Sequence, residues 1–181
     1  FFWTNIKVNI LGEIFNWYGY INETNGQFVS RKDEFSSMRR FSSVNFGCFE
    51  GMCISSEIVD LIGYPDQKYF FNGDDTIYGF MASKHTTVIY IEDVLMTRLI
   101  DKRKTNPSIL ADYLYARNIT EIMNKIAKNR INSNFTRFKE ITRLFLSRVL
   151  KKQLFKNALW IIIGYFDGLT NNFGREKRFL N

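Results

Sequence analysis

The chain has 181 residues, of which 45% are hydrophobic and 24% are charged, enough for one domain with its own core or one domain with an appendage. This composition excludes disordered, collagen-like and disulfide-scaffold proteins, and the two cysteines, Cys48 and Cys53, lack the clustering of a zinc site and favour a reducing, cytoplasmic setting. The formal net charge of +7 admits a nucleic-acid or membrane partner, and the start at Phe1, with no Met and no signal-peptide pattern, suggests a piece of a longer protein.

Residues 1–104 are predicted to form short strands and two short helices. Apolar and polar residues alternate over 6–21 on both sides of Leu11-Gly12, which predicts a hairpin or two short strands, and the polar stretch 22–43 predicts a loop. The remaining predictions are a strand at 44–49, helices at 55–62 and 76–84, and a strand at 88–96.

From Pro107 onward the strand signals disappear. Long helical patterns cover residues 108–128 and 134–156, and the polar run 101–107 separates them from the strands. We therefore predict two regions, an α/β region over 1–104 and a basic, α-helical region over 105–181.

The positive charge lies almost entirely in one segment. Residues 1–124 contain 12 Lys and Arg against 15 Asp and Glu, whereas residues 125–156 contain ten basic residues and one acid, Glu140. Apolar residues recur there at three- and four-residue steps: Phe135, Phe138, Ile141, Leu144, Phe145, Val149 and Leu154. This predicts an amphipathic helix that either lies on an anionic membrane surface or docks on the domain with a solvated basic face. The apolar run 158–166 is too short to span a bilayer.

Asp74 and Asp75 are the first candidates for chemistry. They follow an aromatic stretch and Asn72-Gly73, and they precede a predicted helix. Two carboxylates at a helix N-terminus can simply cap it, because they interact favourably with the helix dipole. Alternatively, one carboxylate acts as a general base in a cleft while the other binds a substrate hydroxyl or the backbone.

Residues 45–84 resemble the second half of the catalytic domain of family 2 GT-A glycosyltransferases, in particular the bacterial rhamnosyltransferase and galactofuranosyltransferase group. The shared landmarks, in the family's order, are Gly47 and Gly51, Gly63-Tyr64-Pro65, Tyr69-Phe70-Phe71 and Asp74-Asp75. Two later stretches, residues 113–118 (YLYARN) and 164–169 (GYFDGL), resemble the family's Tyr-Tyr-x-x-Arg-Asn helix and its Gly-x-x-Asp-Gly element.

The resemblance implies an α/β fold, namely the acceptor-side, C-terminal half of a Rossmann-like GT-A domain over 1–104, followed by a helical tail. It implies an inverting transfer of a sugar from a nucleotide-sugar donor to a lipid-linked or polysaccharide acceptor, with Asp75 as the general base. The acceptor-binding residues expected on this interpretation are Asp74, Gly47, Phe49, Glu50, Gly51 and Trp17, the last with hairpin packing as its alternative role.

The same resemblance implies a divalent metal, Mg²⁺ or Mn²⁺, whose ligands lie mostly on an Asp-x-Asp half that precedes this chain. It places the protein in the cytoplasm, peripheral at the inner face of the cell membrane. Its partners would be the donor, a lipid-linked glycan and, through residues 125–156, an anionic membrane surface, with no nucleic acid.

Three positions depart from the family's pattern. Where the family commonly has Glu, Arg and a metal-binding His, this sequence has Ile77, Met81 and Thr97, and its only histidine, His85, is predicted in a surface loop. These departures favour a second interpretation, an inactive transferase remnant that serves as a binding or membrane-associated domain. A third, nucleic-acid binding through the basic helix, has charge and aromatic residues in its favour but no recognisable motif. Both cysteines are predicted to be buried.

Overall fold

The computed structural model describes residues 2–9, 14–15, 19–30, 41–98, 108–151 and 154–179, and it shows a mixed α/β chain. The chain divides into two compact units. The first, called the sheet unit here, comprises Phe1–Ile21, Phe28–Pro65 and Asp75–Thr105, and the second, the helical unit, comprises Asn22–Gln27, Asp66–Asp74 and Asn106–Asn181. Two short segments upstream of residue 104 therefore belong to the helical unit.

The described part of the sheet unit contains two small sheets. Its strands are β1 (Phe2–Asn9), β2 (Ile14–Phe15), β3 (Gly19–Ile21), β4 (Phe28–Ser30), β5 (Phe41–Val44), β6 (Cys53–Ile54) and β7 (Val88–Arg98). The larger sheet has the order β2-β1-β7-β5, with β6 also paired to β1, and β3 and β4 form a separate antiparallel pair. Within the larger sheet β1 and β7 run parallel, and the other pairs are antiparallel.

Some strand predictions are confirmed and others are wrong. β1 and β2 pair as a hairpin with Lys7 opposite Phe15, and β7 includes the whole predicted strand 88–96. The prediction of a loop over 22–43 is wrong at β4 and β5, and the predicted strand over 44–49 ends at Val44. β5 contains two serines and little apolar pattern, so its pairing with β7 rather than its own sequence defines it.

Two helices complete the sheet unit. α1 (Ser56–Ile62) follows Ser55 and ends at Gly63, whose φ of 78° favours glycine, as predicted. α2 spans Asp74–Ala82, so it begins two residues before the predicted helix, and its first residue ends a segment of the helical unit. The buried apolar cluster of the sheet unit comprises Val44, Ile58, Ala82, Val88 and Tyr90.

The helical unit contains α3 (Ile109–Ile126), α4 (Arg130–Leu146), a π-helical turn (Ser147–Lys151) and α5 (Phe155–Leu169). Ser108 and Asn129 cap α3 and α4 by accepting hydrogen bonds from the backbone N–H groups of Ala111 and Asn132 at 3.0 and 3.1 Å. In the parts of the chain that the structure describes, no helix combines the length and the apolar character needed to cross a bilayer.

The predicted single helix over 134–156 is wrong, because the chain leaves α4 at the π-helical turn and starts α5 at Phe155. Both sides of this break bind one carboxylate of α3. Arg148 donates two hydrogen bonds to Asp112 at 2.8 Å each, and Asn157 donates a third at 2.8 Å. A continuous helix would place these donors about 13 Å apart along its axis, so they could not share Asp112.

Candidate functional site

The loop before Asp74 has an unusual backbone conformation. Phe70, Asn72 and Gly73 have φ angles of 59°, 65° and 105°, and a non-glycine residue in such a conformation costs about 1–3 kcal/mol. A side chain at Gly73 would also meet Cδ1 of Ile122 at 2.9 Å. Because strained backbone persists only where its surroundings hold it, the contacts of this loop show what maintains its conformation.

Asn118 of α3 holds the loop through its side-chain amide. Nδ2 lies 2.9 Å from the carbonyl oxygen of Tyr69, 2.8 Å from that of Phe71 and 2.6 Å from that of Asn72. Two amide hydrogens thus serve three acceptors, all within the helical unit. Asn72 in turn donates from its own amide to the carbonyl oxygen of Ala111 at 3.2 Å, so the loop is fixed on α3 from both sides.

Arg117 is completely buried next to Asn118 and reaches the same loop. Its Nη2 donates to the carbonyl oxygens of Lys68 at 3.0 Å and Tyr69 at 3.2 Å, and its Nε donates to Asn118 Oδ1 at 2.9 Å. Nη1 forms an ion pair with Glu176. All three guanidinium nitrogens are therefore bonded, which is what a buried cation needs in order to be tolerated.

The ring of Phe173 covers the guanidinium of Arg117. Its centroid lies 4.9 Å from the guanidinium carbon, and that of Tyr113 lies 5.5 Å away, both within the range of cation–π attraction. Arg117 is thus fixed by a carboxylate, two backbone carbonyls and two aromatic faces. We refer to Arg117 and Asn118 together as the loop clamp.

α5 supports the loop clamp from behind. A Cβ at Gly164 or Gly168 would lie far inside van der Waals contact with the carbonyl oxygens of Tyr113 and Arg117, so only glycine permits this approach of α5 to α3. Between the two glycines, Asp167 accepts hydrogen bonds from Tyr113 Oη at 3.0 Å and Arg175 Nε at 2.6 Å. The stretches 113–118 and 164–169, which carry the family resemblance, therefore pack directly on each other.

Asp74 and Asp75 are the first two residues of α2, so the predicted position at a helix N-terminus is confirmed. Asp75 Oδ1 accepts hydrogen bonds from the backbone N–H of Thr76 at 2.7 Å and from its hydroxyl at 3.2 Å. Oδ2 receives no hydrogen bond from the residues that the structure describes, and the side chain is only partly buried. Hydrogen bonds hold Oδ1, and Oδ2 can accept a bond from a ligand. This arrangement fits a general base as well as a carboxylate that only caps the helix.

The expected acceptor-binding residues 47–51 form a turn, closed by a 3.2 Å hydrogen bond from the Met52 N–H to the Phe49 carbonyl oxygen. Gly51 has a φ of 75°, which the turn requires. Gly47 is buried, whereas Phe49 and Glu50 are exposed. The exposed pair could contact a ligand, and the glycines shape the backbone.

The turn lies against α2. The ring of Phe49 meets the ring of Tyr78 edge-on, with 5.9 Å between the centroids, and Tyr78 Oη donates to the carbonyl oxygen of Gly63 at 2.9 Å. Tyr78 follows Asp75 by three residues, so the two share a side of the helix. The structure thus brings Phe49 toward the start of α2, while Trp17 lies outside the described residues.

The structure places the three positions that depart from the pattern of the resembled family on α2 and β7. Ile77 is buried and Met81 is partly buried on α2, and Thr97 lies in β7. His85 is exposed in the turn before β7, as predicted for a loop residue. Cys53 is exposed and Cys48 is only partly buried, so the prediction that both cysteines are buried is wrong, because the two-residue β6 covers little of the surface around it.

A second buried carboxylate, Glu121, lies one helical turn after the loop clamp. It accepts hydrogen bonds from Lys68 Nζ at 2.9 Å and from the hydroxyl of Tyr69. Burial, followed by the bond to Glu121, raises the pKa of Tyr69 well above its ordinary value. Burial, followed by the bond to Asp167, raises the pKa of Tyr113 to about 12. Both phenols are therefore neutral donors at physiological pH.

Sequence reasoning missed the partners of the loop clamp, above all Glu176, Glu121 and the carbonyl groups of residues 68–72. A signal was present in α3, where Asp112, Arg117, Asn118 and Glu121 lie in an otherwise apolar helix pattern. Charged and amide residues at such positions are buried only with partners, so they indicate a polar network.

Within the described residues, no group of three or more His, Cys, Asp and Glu side chains is placed to hold a metal ion. The Mg²⁺ or Mn²⁺ that the resemblance implies has no ligand set there, and no step of a mechanism is derived through it. Comparison of the chain with protein-family models, with curated proteins and with solved structures gives no significant match.

Proposed function

We propose that this chain is the acceptor-side part of an inverting family 2, GT-A-type glycosyltransferase, which transfers a sugar from a nucleotide-sugar donor to a lipid-linked or polysaccharide acceptor. The observation that carries the proposal is the strained loop before Asp74, held on α3 by Arg117 and Asn118. Backbone strain that a buried network maintains is concentrated at functional sites. Here it immediately precedes the carboxylate pair that opens α2.

The reaction assigns Asp75 a single proton transfer. An acceptor hydroxyl placed near Oδ2 gives its proton to the carboxylate while its oxygen attacks the anomeric carbon from the face opposite the leaving group. The bond from that carbon to the phosphate oxygen breaks, the nucleoside diphosphate leaves, and the configuration inverts. The hydrogen bonds from Thr76 to Oδ1 keep the carboxylate oriented during the attack.

The other assigned residues would bind the acceptor. We assign Asp74 to an acceptor hydroxyl, Phe49 and Glu50 to the acceptor's sugar ring and its hydroxyl groups, and Trp17 to stacking on a ring. The donor diphosphate and its divalent metal would be bound by a nucleotide-binding half in the complete protein. Such an enzyme would act in the cytoplasm, at the inner face of the membrane that holds its lipid-linked acceptor.

The test is Asp75→Asn in the complete protein, with transfer measured from labelled UDP-galactofuranose and dTDP-rhamnose to a membrane acceptor fraction. Loss of a general base reduces the rate about 100- to 10,000-fold, and the asparagine keeps the shape of the side chain, so the melting temperature should not change. Asp60→Asn, which alters an exposed carboxylate of α1, is the matched control and should transfer normally. Normal turnover by Asp75→Asn would refute the assignment.

One observation favours a second function, an inactive remnant that binds glycans or membranes. Ile77 is buried at the position where the family commonly has Glu, so that position offers no polar group to a substrate. The remnant binds acceptor but transfers nothing from any donor, even with the nucleotide-binding half present. Measured transfer by the unmodified complete protein would exclude it.

A further inference from the structure

α4 carries large apolar side chains on a face that is exposed to solvent. Ile131, Phe135 and Phe138 are spaced four and three residues apart, so they share one face, and Phe135 and Phe138 are 73% and 61% exposed. The buried residues of α4 are Ser133, Arg137 and Ile141. At 100° per residue Ser133 and Arg137 lie on the far side of the helix, whereas Ile141 follows Phe138 by three residues and lies at the edge of this face. We call Ile131, Phe135 and Phe138 the α4 stripe.

This placement corrects the amphipathic helix expected over 125–156. The sequence pattern placed Phe135, Phe138 and Ile141 in one buried or membrane-facing stripe, whereas the structure buries Ile141 and leaves both phenylalanines in solvent. Arg137 is buried in place of an apolar residue, where it donates to Asn134 and to the carbonyl oxygen of Thr120. The two aromatic rings therefore remain available to a partner.

Cations flank the α4 stripe. Lys139 and Arg143 are exposed on the same helix, and the single acid of 125–156, Glu140, is already paired with Arg143 at 2.9 Å. An open cavity of about 470 Å³ lies beside the C-terminal part of α4, and none of the three stripe residues lines it. Its lining includes Tyr115, Leu146 and Leu150, together with the ion pair of Glu140 and Arg143.

We propose that the α4 stripe docks on the surface of an anionic lipid bilayer, with Ile131, Phe135 and Phe138 in the acyl boundary and Lys139 and Arg143 at the lipid phosphates. Helices with this combination lie in the interface plane, with the apolar face about 5–10 Å deep. The proposal goes beyond the proposed reaction and does not rest on it, because it uses only residues of the helical unit outside the Asp75 region.

The charges favour a bilayer over other occupants. A second copy of the chain docked through the same face would bring its own exposed Lys139 close to this one, and like charges at an interface oppose association. A nucleic acid would satisfy Lys139 and Arg143 but would leave three large apolar side chains in water. An anionic bilayer satisfies both sets of side chains at once.

The experiment is flotation of the chain with vesicles of phosphatidylcholine alone and of phosphatidylcholine mixed with phosphatidylglycerol. We expect binding to the mixed vesicles that salt weakens, and little binding to phosphatidylcholine. The double variant Phe135→Ser/Phe138→Ser should reduce binding by about tenfold or more, because the apolar contribution is lost. Lys139→Gln should reduce it about fivefold on the mixed vesicles, the effect of one basic residue near an anionic surface.

Two control variants keep the test specific. Tyr64→Ser removes an aromatic ring that is 88% exposed in the sheet unit and should leave binding unchanged. Leu159→Ser removes an exposed apolar side chain of α5 and should have less effect than the α4 pair. Urea unfolding of each variant should match that of the unmodified chain, because all the altered side chains are exposed.

Four results would overturn the proposal. They are equal binding to both vesicle types, unchanged binding by the Phe135/Phe138 variant, a larger loss from Leu159→Ser than from the α4 pair, and a dimer, measured by light scattering, that the Phe135/Phe138 variant dissociates. Salt-sensitive binding to random-sequence DNA that requires the two phenylalanines would also overturn it, in favour of a nucleic acid.

Discussion

The two units are stabilised by different kinds of interior. In the sheet unit the buried cluster is apolar, built from residues such as Val44, Ile58 and Val88. In the helical unit α3 buries Asp112, Arg117 and Glu121, and each of them has an oppositely charged partner. Apolar interiors tolerate substitutions of similar volume, whereas a buried charge depends on every partner being present.

The difference between the two interiors indicates the structural role of α3. A buried ion pair is often no more stabilising than apolar residues of the same volume, so stability alone does not explain this network. Arg117 and its neighbour Asn118 donate to backbone carbonyls of residues 68–72, in the loop that precedes Asp74, and Glu121 binds the side chains of Lys68 and Tyr69 in the same segment. The apolar interior fills space, and the charged interior fixes one loop conformation.

The largest loss of unfolding free energy is expected for Arg117→Met, which keeps most of the side-chain volume but removes the charge. Glu176 then loses its cation and the carbonyl oxygen of Lys68 loses the guanidinium that donates to it, whereas the carbonyl oxygen of Tyr69 keeps its bond from Asn118. Breaking a buried pair by removing one partner costs about 3–5 kcal/mol of unfolding free energy. Urea unfolding followed by circular dichroism measures the loss.

Arg143→Met is the matched control, because Arg143 forms an exposed ion pair with Glu140 on α4. Exposed pairs contribute at most about 1 kcal/mol, so this variant should unfold almost like the unmodified chain. Equal losses from the two arginine variants would show that the buried network has no special role.

The second-largest loss of unfolding free energy is expected for Gly168→Ala, at the contact between α5 and α3. The added Cβ would overlap the carbonyl oxygen of Arg117 and would lie 2.8 Å from Cβ of Thr120, so α5 must move. Overpacking of this kind costs about 1–3 kcal/mol, here at the upper end because a backbone atom is involved. If the complete protein has the proposed transfer activity, that activity should fall as well, since α5 supports the loop clamp.

Gly63→Ala provides the comparison from the sheet unit. Nothing lies within 4 Å of a Cβ at Gly63, so the only cost is its backbone conformation, φ 78° and ψ −175°, which is nearly restricted to glycine and costs a residue with a side chain about 1–3 kcal/mol. Unfolding free energies of both variants, measured side by side, separate the steric cost from the conformational one. A larger loss at Gly63 than at Gly168 would contradict the close helix approach.

These contacts also show how far the sequence predicts the molecule. Local signals place elements well: Ser55 and Gly63 delimit α1, and Ser108 begins α3. The position of the Asp74 pair at a helix start follows from the same kind of signal. Local signals failed at β5, which pairing with β7 defines, and at the break between α4 and α5.

The loop clamp could be predicted only in part. The resemblance marks Arg117 and Asn118, but their contacts with residues 68–72 join positions almost 50 apart in the sequence. Glu176 is 59 residues from Arg117, and no periodicity connects them. Contacts of this range come from how helices pack, which a single sequence does not encode in any local pattern.

The third-largest loss of unfolding free energy is expected for Asn118→Leu, which removes the amide that donates to three loop carbonyls. Leaving buried acceptors without a donor costs about 1–3 kcal/mol. The loop at residues 70–73 should then exchange its backbone amide hydrogens faster, which hydrogen-exchange mass spectrometry detects at the peptide level. Ile58→Val in the apolar cluster should cost only about 0.5–1.5 kcal/mol and leave that exchange unchanged. Unchanged exchange in Asn118→Leu would contradict the loop clamp.

The smallest effect is a pH dependence carried by Tyr113. Its pKa is raised to about 12 by burial and by the bond to Asp167, against about 10 in the unfolded chain. Between pH 10 and 12 the unfolded state therefore loses this proton while the folded state keeps it, so the unfolding free energy falls as pH rises, by up to about 1.4 kcal/mol per pH unit. Tyr113→Phe should flatten this fall, although Tyr69, whose pKa is also raised, keeps part of it. Urea unfolding at about pH 7, 10 and 11 measures how the unfolding free energy changes with pH. An equally steep fall in Tyr113→Phe would show that the hydroxyl of Tyr113 is not bonded to Asp167 in the folded state.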